Sequence, residues 1–243
     1  MHLMVKEISK TLDRIFTLDD ISLRLDKGEF VVIIGPSGCG KSTLFNIIAG
    51  LMEPDQGTVW IDEQNWTGKA GRISYMQQKD LLLPSRNIVD NVSIPLLLKG
   101  MPKAEARRRA ESYLPDFGLA GFGHYYPRQL SGGMRQRAAL LRTYLQTSDI
   151  LLLDEPFAAL DAISRHSMQL WLKDLQHRYG SSILFITHDI EEALLLADRI
   201  YLFSARPARV RLEIDLLKER ENGKDISLLK QHILAILEEE TNI

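Results

Sequence analysis

The feature that most constrains this chain is the run Gly35-Pro36-Ser37-Gly38-Cys39-Gly40-Lys41-Ser42. It lies between an unbroken apolar stretch, Phe30-Val31-Val32-Ile33-Ile34, and a helical pattern over residues 41–49. Two glycines frame four residues ahead of Lys-Ser, the spacing of a phosphate-binding loop. Glycines let the backbone take positive φ and turn successive N–H groups inward around an anion. A helix that starts at the loop adds the positive end of its dipole. In such a loop Lys41 reaches the β- and γ-phosphates, the Ser42 hydroxyl ligates Mg²⁺, and Thr43 bonds the α-phosphate. The plain alternative is a tight strand-to-helix turn. The strand pattern before the run and the helix pattern after it supply the context that phosphate binding requires.

Three further apolar runs end in polar punctuation: Ile150-Leu151-Leu152-Leu153 before Asp154, Ile183-Leu184-Phe185-Ile186 before Thr187-His188, and Ile200-Tyr201-Leu202-Phe203. Apolar runs this short and continuous mark strands buried on both faces. Helical patterns at residues 41–49, 131–146, 162–179 and 190–197 separate them. The expected core is therefore a doubly wound α/β domain with a mostly parallel sheet. Residues 1–26 and 57–78 instead carry short alternations, such as Ile21-Ser22-Leu23-Arg24-Leu25 and Gly57-Thr58-Val59-Trp60-Ile61, expected as half-buried antiparallel strands. Residues 86–147 show no strand pattern and are expected as a helical insertion. Within it Pro102 opens a charged helix, and Arg107-Arg108-Arg109 reads as a solvated face. The division that follows is one domain over residues 1–210 and a short helical tail over residues 211–243. In the tail Ile226, Leu229, Ile233 and Leu237 form an apolar stripe.

Composition narrows the function classes. A net charge of −2 and a pI near 6.3 leave no electrostatic footprint for nucleic acid. No apolar run approaches the ~18 residues of a membrane span, and the first residues lack the apolar core of a signal peptide. The single cysteine, Cys39, makes neither an internal disulfide nor a multi-cysteine metal site. A soluble, cytoplasmic chain is expected, one that works at a membrane only from one side.

Two other segments carry chemistry. The run Ile150–Leu153 ends in Asp154-Glu155, and a phosphate loop needs an acidic partner for its metal at a neighbouring strand end. Asp154 holds Mg²⁺ in this reading, through water, while Glu155 points elsewhere and serves as the base that orients the attacking water. In Leu130-Ser131-Gly132-Gly133-Met134-Arg135-Gln136-Arg137, Ser131 is an N-cap with two glycines in the first helical turn. Glycines cost helix stability there, which points to close approach of a ligand or phosphate, although a simple cap accounts for the pattern equally well.

Together these residues resemble the ATP-binding subunits of ABC (ATP-binding cassette) transporters. Residues 35–43 are similar to the family's Walker A loop, residues 150–155 to its Walker B strand and residues 130–137 to its signature. Gln78 sits where the family has its Q-loop metal ligand, Ala159-Leu160-Asp161 resembles the D-loop, and His188 resembles the switch histidine. The similarity covers about residues 3–210. It implies a P-loop fold with a RecA-like sheet, an N-terminal antiparallel β subdomain and a helical insertion, with ATP and Mg²⁺ as ligands. It also implies a homodimer in which Ser131 and Gly133 contact the γ-phosphate of the second copy's nucleotide, with Gly132 and Asp161 also counted among the nucleotide-binding residues. Membrane permease subunits would be direct partners and an extracytoplasmic binding protein an indirect one. Apolar residues at 81–84 would form a groove for a permease helix.

The segment from Gln78 to Pro84, the run Asp154-Glu155-Pro156-Phe157 and the run Arg206-Pro207-Ala208-Arg209 resemble the importer group for nitrate, sulfonate, taurine and a thiamine pyrimidine precursor. Where the family stacks an aromatic ring on adenine, this chain has Leu12, with Phe16 close by, so weak base selectivity is expected. Cassettes that drive lipoprotein release, cell division or export share these motifs and remain the alternative. Those acting on nucleic acid or the ribosome usually carry two cassettes or long insertions, and a basic patch is lacking here.

Overall fold

The computed structural model describes residues 2–147, 149–223 and 225–241. Its main sheet has six strands, in the order β10-β9-β3-β8-β7-β6. These are β3 (Phe30–Ile34), β6 (Ser74–Met76), β7 (Ile150–Asp154), β8 (Ser182–Thr187), β9 (Arg199–Phe203) and β10 (Val210–Asp215). All pair in parallel except β10, which runs antiparallel to β9 at the edge. Successive side chains of a strand face opposite sides, and both sides are covered here. Phe30, Val32 and Ile34 enter one core, together with Leu151, Leu153, Ile183 and Phe185. Val31 and Ile33 enter the other, with Ile150, Leu152, Leu184 and Ile186. That is why these strands read as unbroken apolar runs.

The second core is closed by α1 (Lys41–Ile48) and by an antiparallel sheet of β2 (Ile15–Leu25), β1 (Leu3–Leu12), β4 (Gln56–Ile61) and β5 (Gln64–Asn65). The first core is closed by helices. Between β6 and β7 lie α2 (Ile88–Val92), α3 (Ile94–Leu98), α4 (Lys103–Tyr113) and α5 (Gly132–Tyr144). After β7 come α6 (Ala162–Tyr179) and α7 (Ile190–Leu196), and past β10 come α8 (Leu216–Glu221) and α9 (Ile226–Thr241). Asn91, fully buried in α2, staples the segment before it. Its amide accepts from Leu83 N at 2.7 Å and donates to the carbonyls of Leu83 (3.1 Å), Arg86 (3.0 Å) and Asn87 (3.1 Å).

Four expectations need correction. Ser74–Met76, inside the stretch expected to be antiparallel, is a parallel strand beside β7; three residues are too few to display a period. The stretch from residue 211, expected as part of a helical tail, begins as β10, whose exposed and half-buried positions alternate as an edge strand allows. In α9, Ile233 is buried and Leu229 and Leu237 pack against the core, but Ile226 is exposed. Within the arginine run, Arg107 is half-buried and paired with Asp90 of α2 rather than fully solvated.

Candidate nucleotide-binding site

The loop expected to bind phosphate connects β3 to α1. Gly40 holds φ 126° just before the helix, and a Cβ there would lie 2.8 Å from Leu18 Cδ2. Gly35 is enforced by packing, since a Cβ would lie 2.9 Å from Phe203 Cβ. A cleft of about 340 Å³ opens over the loop, lined by Ser37, Gly38, Gly40, Lys41, Ser42 and Thr43. Gln78, Asp154 and Glu155 line its other wall. Lys41 is buried, and its Nζ donates to the carbonyls of Gly35 (2.8 Å) and Pro36 (2.9 Å), so the loop wraps its own cation. Cys39 packs in the core side of the loop, where burial pushes its thiol pKa up.

The two carboxylates at the end of β7 diverge as expected. Asp154 is buried, and its carboxyl pKa is raised by desolvation against the opposing hydrogen bonds from Ser42 and Tyr75. The Tyr75 hydroxyl donates to Asp154 Oδ2 at 3.2 Å, and burial and that carboxylate raise its own pKa. Glu155 sits at φ 44°, a left-handed conformation that costs a non-glycine residue about 1–3 kcal/mol and clusters at functional sites. Its backbone N–H donates to Ile186 O at 3.0 Å. Its carboxylate accepts from Gln78 Nε2 at 3.1 Å and lies 3.4 Å from His188 Nδ1. Gln78, Glu155 and His188, from three separate segments, thus converge on one group.

His188 follows β8 in a turn fixed by Thr187 Oγ1, which accepts from Asp189 N at 3.0 Å. Asp189 caps α7. Arg165 of α6 spans from this turn, 3.8 Å from Asp189 Oδ2, to the Leu160 carbonyl at 2.9 Å. Below it the buried Gln169 donates to the buried Glu192 at 2.9 Å, and burial raises the Glu192 pKa.

The remaining expected residues stay outside the phosphate cleft. Ser131 caps α5, accepting from Met134 N at 3.3 Å. Gly132 lines a neighbouring hollow of about 610 Å³ with Gln136, Ala158 and Leu160. Among the described residues, a Cβ on Gly133 would meet nothing within 4 Å, so no described neighbour demands glycine there. Asp161 caps α6, accepting from Ser164 N at 3.0 Å, and is itself absent from the cleft wall. Leu12 pairs with Ile15 across the β1–β2 turn and Phe16 is exposed; neither lines the phosphate cleft.

Two site residues escaped the sequence reading. Tyr75 carried no motif. Arg206 lines the cleft and donates to the Gly38 carbonyl, yet its run Arg206-Pro207-Ala208-Arg209 signalled only a group resemblance. Among the described residues no cluster of three or more His, Cys, Asp or Glu side chains could hold a metal, and no helix is long and apolar enough to cross a membrane.

Comparison with known proteins bears on this geometry. The family model described as ABC transporter matches residues 18–158. The formylaminopyrimidine import ATP-binding protein ThiZ of Halalkalibacterium halodurans is 44% identical over 232 residues, covering 92% of this chain and 91% of that protein. The taurine import ATP-binding protein TauB of Pseudomonas aeruginosa is 44% identical over 215 residues, 88% of this chain and 82% of that protein. The ATP-binding cassette MJ0796, solved as a dimer in a post-hydrolysis state bound to ADP and Pi, matches at a TM-score of 0.75 and 33% identity, over 88% of this chain and 98% of that one. A candidate phosphate loop, a buried strand-end carboxylate and a glutamate gathering Gln78 and His188 thus occur on a fold shared with a nucleotide-bound cassette, and the chain belongs to the ABC transporter family as an ATP-binding, ATP-hydrolysing cassette.

Proposed function

We propose that this ATPase energises an importer of a small organic or oxyanion solute, through ATP-driven closure of a homodimer of cassettes on the cytoplasmic face of the cell membrane. One observation carries the dimer reading: the capped N-terminus of α5, with Ser131 and the unobstructed Gly133, lies outside the chain's own phosphate cleft. A surface of N–H groups open to an anion fits the nucleotide of a second copy. Asp161, at the neighbouring turn, would approach the same interface.

In this reading the phosphates enter the loop at residues 35–43, and Lys41 shifts from loop carbonyls to phosphate oxygens. Mg²⁺ fits the donors present: the Ser42 hydroxyl, the Asp154 carboxylate and the Gln78 side-chain oxygen are all hard ligands. Bound there, the ion would neutralise charge on the phosphates. Glu155 takes up the water proton, held in place by its own left-handed backbone and by Gln78 and His188. Because ATP bridges two copies, it favours the closed dimer through contacts that the open form lacks, and loss of the γ-phosphate removes them.

Coupling to the permease is assigned to a hollow of about 590 Å³ whose apolar wall includes Leu81, Leu83, Ile94, Pro95 and Leu98. Leu98 is 84% exposed there. Arg142 donates to the carbonyls of Leu81 (2.7 Å) and Asp80 (2.6 Å), orienting this wall next to Gln78. A short amphipathic helix from a membrane subunit suits such a surface. The importer assignment draws on the import proteins ThiZ and TauB as relatives. A pull-down of the tagged chain from detergent-solubilised native membranes tests it. A multi-span permease, joined by a solute-binding protein, is expected. A partner with few spans and a large extracytoplasmic domain would replace import with lipoprotein release or a cell-division role.

A further inference from the structure

Arg206 reaches the phosphate cleft from a turn beyond β9 that contains none of the motifs of the site. Its guanidinium, exposed to solvent at the cleft wall, donates to the Gly38 carbonyl. A neutral carbonyl is a weak partner for a guanidinium compared with a phosphate, which offers charge and matching fork geometry. A long, exposed side chain already beside Gly38 needs only a rotamer change to meet an anion held by the same loop.

The turn that carries Arg206 is fastened on two sides. Towards β2, Ala208 N donates to Thr17 O at 2.9 Å and Asp19 N donates to Ala208 O at 3.0 Å. Arg209 Nε reinforces this edge by donating to Asp19 at 2.6 Å. On the other side the hold comes from the C-terminal helix. Glu240, on α9 and 8% exposed, accepts from Ala205 N at 2.9 Å and pairs with Arg211 Nε at 2.8 Å. A buried carboxylate at the far end of the chain therefore fixes the backbone amide one residue before Arg206.

We propose that Arg206 binds the nucleotide phosphates from outside the phosphate loop, and that Glu240 of the C-terminal helix positions it. This rests on the cleft being the nucleotide site. It makes α9 part of the nucleotide-binding apparatus rather than an appendage, and it supplies a second cation beside Lys41 at the cleft wall.

The test is titration of fluorescent ATP and ADP analogues into the full-length chain, with thermal midpoints measured on the same samples. Arg206→Gln is expected to weaken binding by about 5–20-fold, the scale of a charge-assisted bond discounted for exposure. Arg206→Lys, which keeps the charge but not the fork, is expected to recover part of that loss. Glu240→Ala is expected to weaken binding by about 2–5-fold in the wild-type background and to add nothing in Arg206→Gln, since a positioning residue acts through the group it holds. Unchanged affinity in Arg206→Gln would overturn the proposal. An equal Glu240→Ala effect in both backgrounds would remove the positioning role. Lys41→Ala serves as the reference: if it too leaves affinity intact, the nucleotide-site reading has failed, whereas a loss confined to Lys41→Ala rejects Arg206 alone.

Discussion

Replacing Asn91 is expected to separate the proposed coupling surface from the candidate nucleotide site. Asn91 is fully buried and makes four hydrogen bonds that fix residues 83–87. Asn91→Ala leaves Leu83 N and Arg86 O without these partners, while Leu83 O keeps the Arg86 N–H at 3.1 Å. Each buried polar group left unpaired costs about 1–3 kcal/mol. Leu83 is 40% exposed, so water recovers part of this. A net loss of about 2–4 kcal/mol follows, which in a chain of this size lowers Tm by about 5–15 °C. Asn91→Asp is a sharper probe. It keeps the acceptor for Leu83 N but turns a carboxylate oxygen towards carbonyl oxygens, which raises its folded-state pKa. Its stability is then retained at low pH and lost as pH rises through that raised value. Because Asn91 does not line the phosphate cleft, ATP affinity is expected to stay within about twofold while permease-stimulated turnover falls. Thermal melts, nucleotide titration and turnover in the reconstituted complex measure all three. A Tm loss under about 2 °C would refute the assigned hydrogen-bond role, and an equal loss of ATP affinity would refute the separation of the two sites.

Lys41→Ala should cost about 10²–10³-fold or more in hydrolysis by removing the cation over the β- and γ-phosphates; wild-type turnover would reject the site. Asp154→Asn should stabilise the nucleotide-free protein at neutral pH. Burial raises the Asp154 pKa above the ordinary 3.8, so native stability is lost as pH rises through the raised value, and the amide removes that loss. The Tm gain should fade as pH falls towards 3.8, and a pH-independent difference would contradict the cause. His188→Ala should lower turnover while leaving ATP affinity unchanged, since His188 contacts Glu155 and lies off the cleft wall; a parallel loss of binding would make His188 a structural residue.

The central sheet was legible because burial on both faces removes alternation and leaves short apolar runs that end in functional residues. The candidate phosphate loop, Asp154 and Glu155 were legible as positions for the same reason, since each lies where such a run stops. Helix α6 matches its expected span of residues 162–179 because Asp161 caps it and Gly180, at φ 65°, ends it. Short or edge strands were not legible: β6 has three residues, and β10 alternates with charges that read as tail. Side chains that act across long sequence separations left no local mark. Tyr75 meets Asp154, Asn91 staples a loop, and Arg206 reaches Gly38 only once β9 has been laid beside β3. Arg107 looked solvated because its partner, Asp90, lies on another helix.

The most direct test of the proposed shared, two-copy site is the molar mass of Glu155→Gln by light scattering with saturating ATP and Mg²⁺. The glutamine keeps an oxygen for Gln78 but cannot take the water proton, so ATP persists. A species of twice the 27.7 kDa protomer is expected with ATP, reverting to the protomer with ADP. A mass that stays at 27.7 kDa while the same sample is shown to hold ATP would contradict the shared site.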